Sequence, residues 1–367
     1  MSYPRQLSFK QVRVIKLLGR YHHVSEIIGM ENPLHYRNKV QAAFGVRGGK
    51  TVSGIYQSST HKIVPVESCM IEDTVADTII GTIRKLIISF KIRPFDDNRM
   101  TGFLRHVLIR RGFKSGQIMV VLVTNKGEFP SQRAFINALC GRHPEITTVV
   151  RNINTERTSL VLGDRCETLF GDGYIEEQLC GRTFRISPKA FYQINPVQTE
   201  VLYNKVVEYA DLNGSETVID AYCGTGTIGL ILADKAKKII GVELNSDAVG
   251  DARKNAEING VDNAVFYEAD ASKFMVEMAE AGQNADVVIM DPPRAGSTVE
   301  FLRSVAQLRP KKVIYVSCNP QTLARDLMFL THRKYKVMRI QPVDMFPYTE
   351  HVECVVKLEY KDKQPAR

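Results

Sequence analysis

The chain lacks any apolar run close to the roughly 18 residues that a membrane span needs, so no membrane association is expected. Its opening, MSYPRQLSFKQVRVIKLLGR, has no signal-peptide core and reads as a basic amphipathic helix, which makes a cytoplasmic location the expectation. Cysteine occurs seven times, at Cys69, Cys140, Cys166, Cys180, Cys223, Cys318 and Cys354, with no Cys-x-x-Cys pair. An odd, scattered set supports neither a zinc site nor a disulfide framework. Internal repeats and low-complexity linkers are also missing. What remains is an ordinary globular composition, 44% apolar and 24% charged over 367 residues, enough for two or three domains.

Positive charge is concentrated in one half. Residues 1–185 carry 27 Lys and Arg against 16 Asp and Glu, a net of +11, whereas residues 186–367 carry 22 against 24. A basic module joined to a near-neutral one suits a polyanionic partner for the first and separate chemistry for the second. A solvated basic surface without a partner is the plainer alternative.

From about residue 215 apolar strands alternate with helical periods: TVIDAY, KIIGVEL, AVFYEAD, ADVVIMD and KVIYVSC, each followed by a helix. That pattern means βαβ units and a parallel sheet covered on both faces. Ser246 is the expected N-cap and Gly260 the residue past the end of one of these helices. The last two strand-like runs, KYKVMRIQPVDMF and HVECVVKLEY, predict a terminal antiparallel hairpin, which fits the methyltransferase variant of the doubly wound fold better than the dehydrogenase one. The fold class is therefore α/β, a Rossmann-like domain over 191–367, preceded by a basic α+β domain over 1–190. In the first domain RHVLIRRG, QIMVVLVTNKG and ITTVVRNINTE read as strands, and the stretches around 71–92 and 131–144 as helices.

Three motifs carry the chemistry. DAYCGTGTIGL places Gly224, Gly226 and Gly229 between a strand and a helix. Such a loop serves a dinucleotide's pyrophosphate or lets backbone lie against the methionine part of S-adenosylmethionine. Asp220, Glu243 and Asp270 are carboxylates at successive strand ends; Glu243 suits ribose hydroxyls and Asp270 an adenine edge. MDPPRAG follows the fourth strand with Asp291 and a Pro-Pro pair, a stiff shelf with exposed carbonyls that suits a planar base and has no use in a dehydrogenase. VSCNPQTLARD sets Cys318 at the end of the fifth strand, and Glu353 follows 35 residues later. One thiol and one carboxylate across a uracil allow addition at carbon 6, methyl transfer at carbon 5 and removal of the carbon 5 proton. A cysteine closing a strand is more often plain packing, and Glu353 alone would read as an exposed strand acid.

Together FYQIN, DAYCGTGTIGL, DPPRAG, VSCNPQTLARD and HVECVVKL, in that order over residues 191–358, resemble the RNA (uracil-5-)-methyltransferase family. YRNK at Tyr36–Lys39 and LRHVLIRRG at Leu104–Gly112 extend the likeness into the first half. The resemblance implies S-adenosylmethionine as cofactor, RNA as partner and a monomer. It implies Cys318 as nucleophile and Glu353 as proton acceptor. Gln193, Tyr222, Gly224, Gly226, Thr227, Glu243, Asp270 and Asp291 are expected in the cofactor pocket; the Thr227 position is often Asn in the family. Phe191, Asp291 and Arg294 are expected at the base, and Arg37, Arg105 and His106 on RNA. The family usually begins with a small β-barrel and a cysteine cluster holding a [4Fe–4S] centre, ahead of the stretch with which this sequence starts. Cys69 matches the fourth ligand, so no cluster is expected in this chain, since four ligands are normal. The unbroken DPPRAG and SCNPQTLARD runs look more like the branch acting on 23S ribosomal RNA than the transfer RNA branch. The alternatives are a transfer RNA enzyme, a non-catalytic RNA-binding or folding module, a nicotinamide oxidoreductase and a cytosine-5 methyltransferase. The oxidoreductase leaves Asp291, Cys318 and Glu353 unexplained. In cytosine-5 enzymes the cysteine usually follows Pro or Thr, whereas here it follows Ser317.

Overall fold

The computed structural model describes residues 1–58, 60, 62–158 and 160–361. Among these described residues the chain builds two seven-stranded sheets, in two compact units: residues 34–178 with 185–189, and residues 1–33 with 179–184 and 190–367. The opening helix α1 (Tyr3–Leu18) therefore belongs with the C-terminal unit and not with the basic domain over 1–190 that the sequence suggested. The reason is apolar: Val14 and Leu18, with Val24 and Ile27, are buried in the same cluster as the C-terminal sheet.

The 34–178 unit has strands β1 (Lys39–Arg47), β2 (Lys50–Tyr56), β3 (Ile63–Pro65), β4 (Leu104–Arg111), β5 (Ile118–Thr124), β6 (Ile146–Ile153) and β7 (Arg165–Phe170) in the order 3-2-1-4-5-6-7. Helices α2 (Thr74–Ser89) and α3 (Gln132–Arg142) complete it. All neighbours run antiparallel except β5 and β6, between which α3 is the crossover. β1 and β2 meet at Gly48-Gly49, both at positive φ, as a two-residue hairpin turn requires. Ile79, Ile83 and Leu86 of α2 and Leu139 of α3 bury one sheet face with Val40, Val107 and Val120. The Asp73 carboxylate caps α2 by accepting from the N–H groups of Val75 and Ala76, and pairs with Arg111 at 2.7 Å. Strands β8 (Ile175–Leu179) and β9 (Arg182–Ile186) form a separate hairpin.

The second unit alternates as the sequence predicts: α4 (Pro196–Ala210), β10 (Thr217–Ala221), α5 (Thr227–Leu232), β11 (Lys238–Glu243), α6 (Ser246–Ile258), β12 (Ala264–Glu268), α7 (Ala271–Glu280), β13 (Val287–Met290), α8 (Val299–Leu308), β14 (Lys312–Ser317), α9 (Pro320–Thr331), β15 (Tyr335–Val343) and β16 (Glu353–Tyr360). The strand order is 12-11-10-13-14-16-15. The first five are parallel, so their carboxyl ends share one edge, while β16 runs antiparallel between β14 and β15. The N-cap of α6 is Asn245, whose side chain accepts from the Ala248 N–H; the expected cap, Ser246, is already the first helical residue. Gly260 sits past the end of that helix at φ +61°, as expected.

Ile83 is fully buried. Replacing Ile83 by Ala should destabilise the protein by about 2–5 kcal/mol through the cavity left behind, read as a lowered denaturation midpoint.

Candidate active site

The carboxyl edge of the second sheet collects the motifs. After β10, Tyr222 takes φ +64°, a conformation uncommon for a bulky side chain, and Gly226 takes φ +78°. A Cβ at Gly226 would lie 2.9 Å from the Phe266 ring, and one at Gly229 2.9 Å from Ile239, so the loop can turn and α5 can approach the sheet only without side chains there. Both Glu243 carboxylate oxygens accept backbone N–H groups, from Gly224 at 3.0 Å and Asn245 at 2.9 Å, which fixes the carboxylate beside the loop. Asp270 caps α7 through one oxygen, from the Lys273 N–H.

A cleft opens between this loop and the FYQIN segment. Phe191, Gln193, Tyr222, Gly224, Thr227 and Asp291 line it, with Leu179, Tyr192, Tyr203 and Ile228, which sequence reasoning missed. The Tyr203 hydroxyl bonds to the side chains of Thr227 and Gln193, tying the two segments together. Phe191 is 68% exposed, so it is not the core residue that a Phe in a strand-like run usually is.

Ser317, the last residue of β14, stands opposite Cys354 in the antiparallel β14–β16 ladder, and the next residues beyond that pair, Cys318 and Glu353, are close enough to interact electrostatically. Cys318 is half-buried and Glu353 is buried. Burial pushes the thiol up to about 11; the carboxyl groups of Glu353 and Asp291 push the same way and the Arg294 guanidinium opposes them. Burial, with Asp291 beside it, also holds the Glu353 carboxyl well above the usual range, against Arg294. Burial raises Asp291 to about 7. Asp220 is raised to about 7, by burial first; its Oδ2 accepts from the Gly229 N–H while Oδ1 is buried without a bond. Asp291 lines the cleft and interacts electrostatically with Asp220 and Glu353, so three carboxyl groups with raised pKa values stand close together.

The DPPRAG loop is fixed from its flank. The Asp326 carboxylate accepts from the Ser297 N–H at 2.8 Å, the Tyr315 hydroxyl at 2.7 Å and Arg325 Nε at 2.8 Å, and Arg325 donates to the carbonyls of Ala295 and Ser297. Asn319 Nδ2 donates to the Arg294 carbonyl. The ARD end of VSCNPQTLARD therefore holds the other motif in place. Arg294 is exposed and reaches the His351 ring, Nη2 to Nδ1 2.6 Å, a neighbour that the sequence reading passed over. The expected shelf is smaller than predicted, because the Pro293 carbonyl accepts from the Gly296 N–H.

Three expected RNA contacts lie elsewhere, in the 34–178 unit. Arg105 is 3% exposed, with its guanidinium on the carbonyls of Asn154 and Glu156 and on Asp97. His106 is buried and pushed down to about 4, by burial and then by Arg105, so it is neutral at neutral pH. Neither can serve as a surface cation for phosphate, which corrects that expectation. Arg37 is half-buried, near Glu72. The exposed positive charge of this unit comes instead from residues such as Arg47, Lys50, Arg93, Lys126 and Arg133. Cys69 donates its N–H to Asp77. Among the described residues no three His, Cys, Asp or Glu side chains form a metal-binding group.

This strand order, glycine loop and strand-end acids define a methyltransferase of the S-adenosylmethionine-dependent class. The family model described as tRNA (uracil-5-)-methyltransferase matches residues 167–361. The chain belongs to that family, and it is an RNA (uracil-5-)-methyltransferase. An uncharacterized RNA methyltransferase of Oceanobacillus iheyensis is 43% identical over 367 residues, covering 98% of this chain and 80% of the relative. One from Clostridium tetani is 44% identical over 364 residues, covering 98% and 79%. The crystal structure of Pyrococcus abyssi tRNA (uracil-54, C5)-methyltransferase in complex with S-adenosyl-L-homocysteine superposes with a TM-score of 0.83 at 29% identity, covering 98% of this chain and 84% of that one.

Because Phe191 is mostly exposed, Phe191→Ala should change stability by less than about 0.5 kcal/mol, checked by chemical denaturation.

Proposed function

We propose that the chain methylates carbon 5 of a uridine in 23S ribosomal RNA through a covalent bond between Cys318 and carbon 6 of the base. The observation that carries this reading is the β14–β16 register, whose last pair, Ser317 and Cys354, leaves Cys318 and Glu353 as the next residues, both in electrostatic contact with Asp291 and Arg294. The cofactor supplies a methyl group on a sulfonium. The cleft fits it: Glu243 suits the ribose hydroxyls, Asp270 the adenine edge, the Gly224–Thr227 loop and Gln193 the methionine part. A cationic ligand near Asp291 would also favour the ionised forms of the Asp220, Asp291 and Glu353 carboxyl groups.

Cys318 adds as a thiolate to carbon 6, and the displaced π electrons make carbon 5 nucleophilic while charge gathers on the base oxygen. Arg294, held by His351, favours the thiolate and the charge that follows it. Once carbon 5 holds the methyl group, Glu353 takes its proton, the carbon 6–sulfur bond breaks and the ring double bond returns. Glu353 must be ionised for this, and its high affinity for a proton makes it a competent base once ionised. Phe191, exposed at the cleft, stacks on the base, which has to leave its helix to reach Cys318. The exposed arginines and lysines of the 34–178 unit supply phosphate contacts.

Ribosomal RNA is favoured by the unbroken DPPRAG and SCNPQTLARD runs, and the Asp326 and Arg325 bonds give both runs a common purpose. A transfer RNA substrate is the second reading, favoured by the likeness to the Pyrococcus abyssi enzyme. Mapping 5-methyluridine in both RNA classes from a strain lacking the gene separates them. Loss from 23S ribosomal RNA supports the first, and loss confined to transfer RNA overturns it.

A 5-fluorouridine RNA should trap an adduct with the parent protein and none with Cys318→Ala, because fluorine cannot leave as a proton. With unmodified RNA, Glu353→Gln should accumulate the adduct; turnover at the parental rate would remove Glu353 from the mechanism. Phe191→Ala should weaken RNA binding by ~1–3 kcal/mol, the worth of one base–aromatic stack.

The rate of adduct formation should rise with pH, since the neutral thiol must ionise and burial raises its pKa. Arg294 lowers that pKa, so Arg294→Met should move the rise to higher pH. A pH profile of single-turnover trapping reads the sign directly, and a shift to lower pH would contradict it.

A further inference from the structure

The loop that leads from β15 into Glu353 is held by the opening helix along one stripe. Tyr3, Gln6, Lys10 and Arg13 of α1 follow each other at steps of three, four and three, so they share one helix face. All four meet residues 344–350. The Tyr3 ring stacks on Tyr348 at 6.0 Å between centroids. Gln6 Oε1 accepts from the Tyr348 N–H at 2.9 Å. Lys10 Nζ donates to Asp344 Oδ1 at 2.7 Å and to the Phe346 carbonyl at 3.0 Å. Arg13 Nη1 donates to the Glu350 carbonyl at 3.1 Å. From the other side, Asn195 and Gln198 at the start of α4 donate to the carbonyls of Met345 and Asp344, both at 3.0 Å.

Lys10 and Asp344 are 1% and 0% exposed. A fully buried ion pair is a poor way to gain stability, because desolvation offsets most of its attraction and a well-packed apolar pair serves as well or better. What such a pair supplies is geometry: two directional bonds from one ammonium fix both Asp344 and Phe346. The fixed segment continues through His351, which meets Arg294, to Glu353.

We infer that Lys10 is a positioning residue for the methyl-transfer reaction: with Gln6 and Arg13 it sets the 344–350 loop so that Glu353 stands where it can take the carbon 5 proton. This rests on Glu353 being the base. Methyl transfer precedes that proton removal, so loosening the loop slows resolution of the covalent intermediate more than its formation.

The test uses the full chain, radiolabelled S-adenosylmethionine and a uridine-containing stem-loop RNA, with adduct formation and adduct resolution measured separately in single turnovers. Two double variants are made. Gln6→Ala with Arg13→Ala removes partly exposed bonds, and Lys10→Met with Asp344→Asn removes the buried pair without stranding a charge. In whichever variant melts as the parent does, resolution should slow by about tenfold or more, because a misplacement of about 1 Å can cost ~10²-fold. Adduct formation and the dissociation constant for S-adenosylmethionine should stay within about twofold, a shift worth only ~0.4 kcal/mol. If both variants resolve the adduct at the parental rate while Glu353→Gln blocks resolution, the positioning role is wrong and the base assignment stands. Parental resolution in Glu353→Gln itself would overturn the base assignment, and this inference with it. A loss of cofactor affinity equal to the loss in resolution would show a general structural role and overturn it as well.

Discussion

Everything at the candidate site depends on one strand running the wrong way. In a wholly parallel sheet every strand would deliver its carboxyl end to the same edge, and the residues of that edge would come from loops that begin there. β16 runs antiparallel between β14 and β15, so it brings its amino end to that edge. Glu353 is the first residue of β16 and pairs with Val343 of β15, and a residue on a strand is held more firmly than one on a loop. That is how a buried carboxyl group, Glu353, comes to lie near Cys318, the residue after β14. The cost is a concentration of buried acids, which pushes the thiol and the carboxyl group alike toward their protonated forms. Resting protonation protects the thiol from adventitious chemistry, because the thiolate is the reactive form.

Much of the second unit was legible because its signals are local. Buried parallel strands read as apolar runs, and the turns after them hold glycine, proline and acids whose spacing is short. The antiparallel sense of its last two strands followed from the same runs, but not the place of β16 between β14 and β15. The first unit was harder to read. The β1–β2 hairpin passed unnoticed although Gly48-Gly49 between two alternating stretches is its turn signal. Arg105 and His106 looked like an RNA-facing pair on a basic strand, yet β4 is buried on both faces over Arg105–Arg110, and sequence alone does not say which face of a central strand is covered. α1 was recognised as a helix but placed with the wrong unit, because its partners lie more than 300 residues away. His351, Asp326 and Tyr203 were hidden at shorter range, because their contacts join one motif to another.

The acids and the basic surface divide the electrostatic work. Asp220, Asp291 and Glu353 are held toward their neutral forms and so oppose phosphate less than ionised acids would, while the exposed arginines and lysines of the 34–178 unit attract it. Discrimination of this kind works through long-range fields as well as contacts, and it weakens as salt rises.

The reach of α1 also constrains how the protein is born. The Lys10 ammonium finds its carboxylate 334 residues later in the chain. At ~5–20 residues per second a ribosome needs about 20–70 s to bridge that gap. During this interval the charged face of α1 has no loop to bind, and β14 and β15 have a gap where the last strand will enter. Glu353 follows Cys318 by 35 residues, so β16 is made after the strands between which it enters. Insertion of β16 is at once the closing step of the sheet and the moment at which Glu353 reaches the edge that carries Cys318.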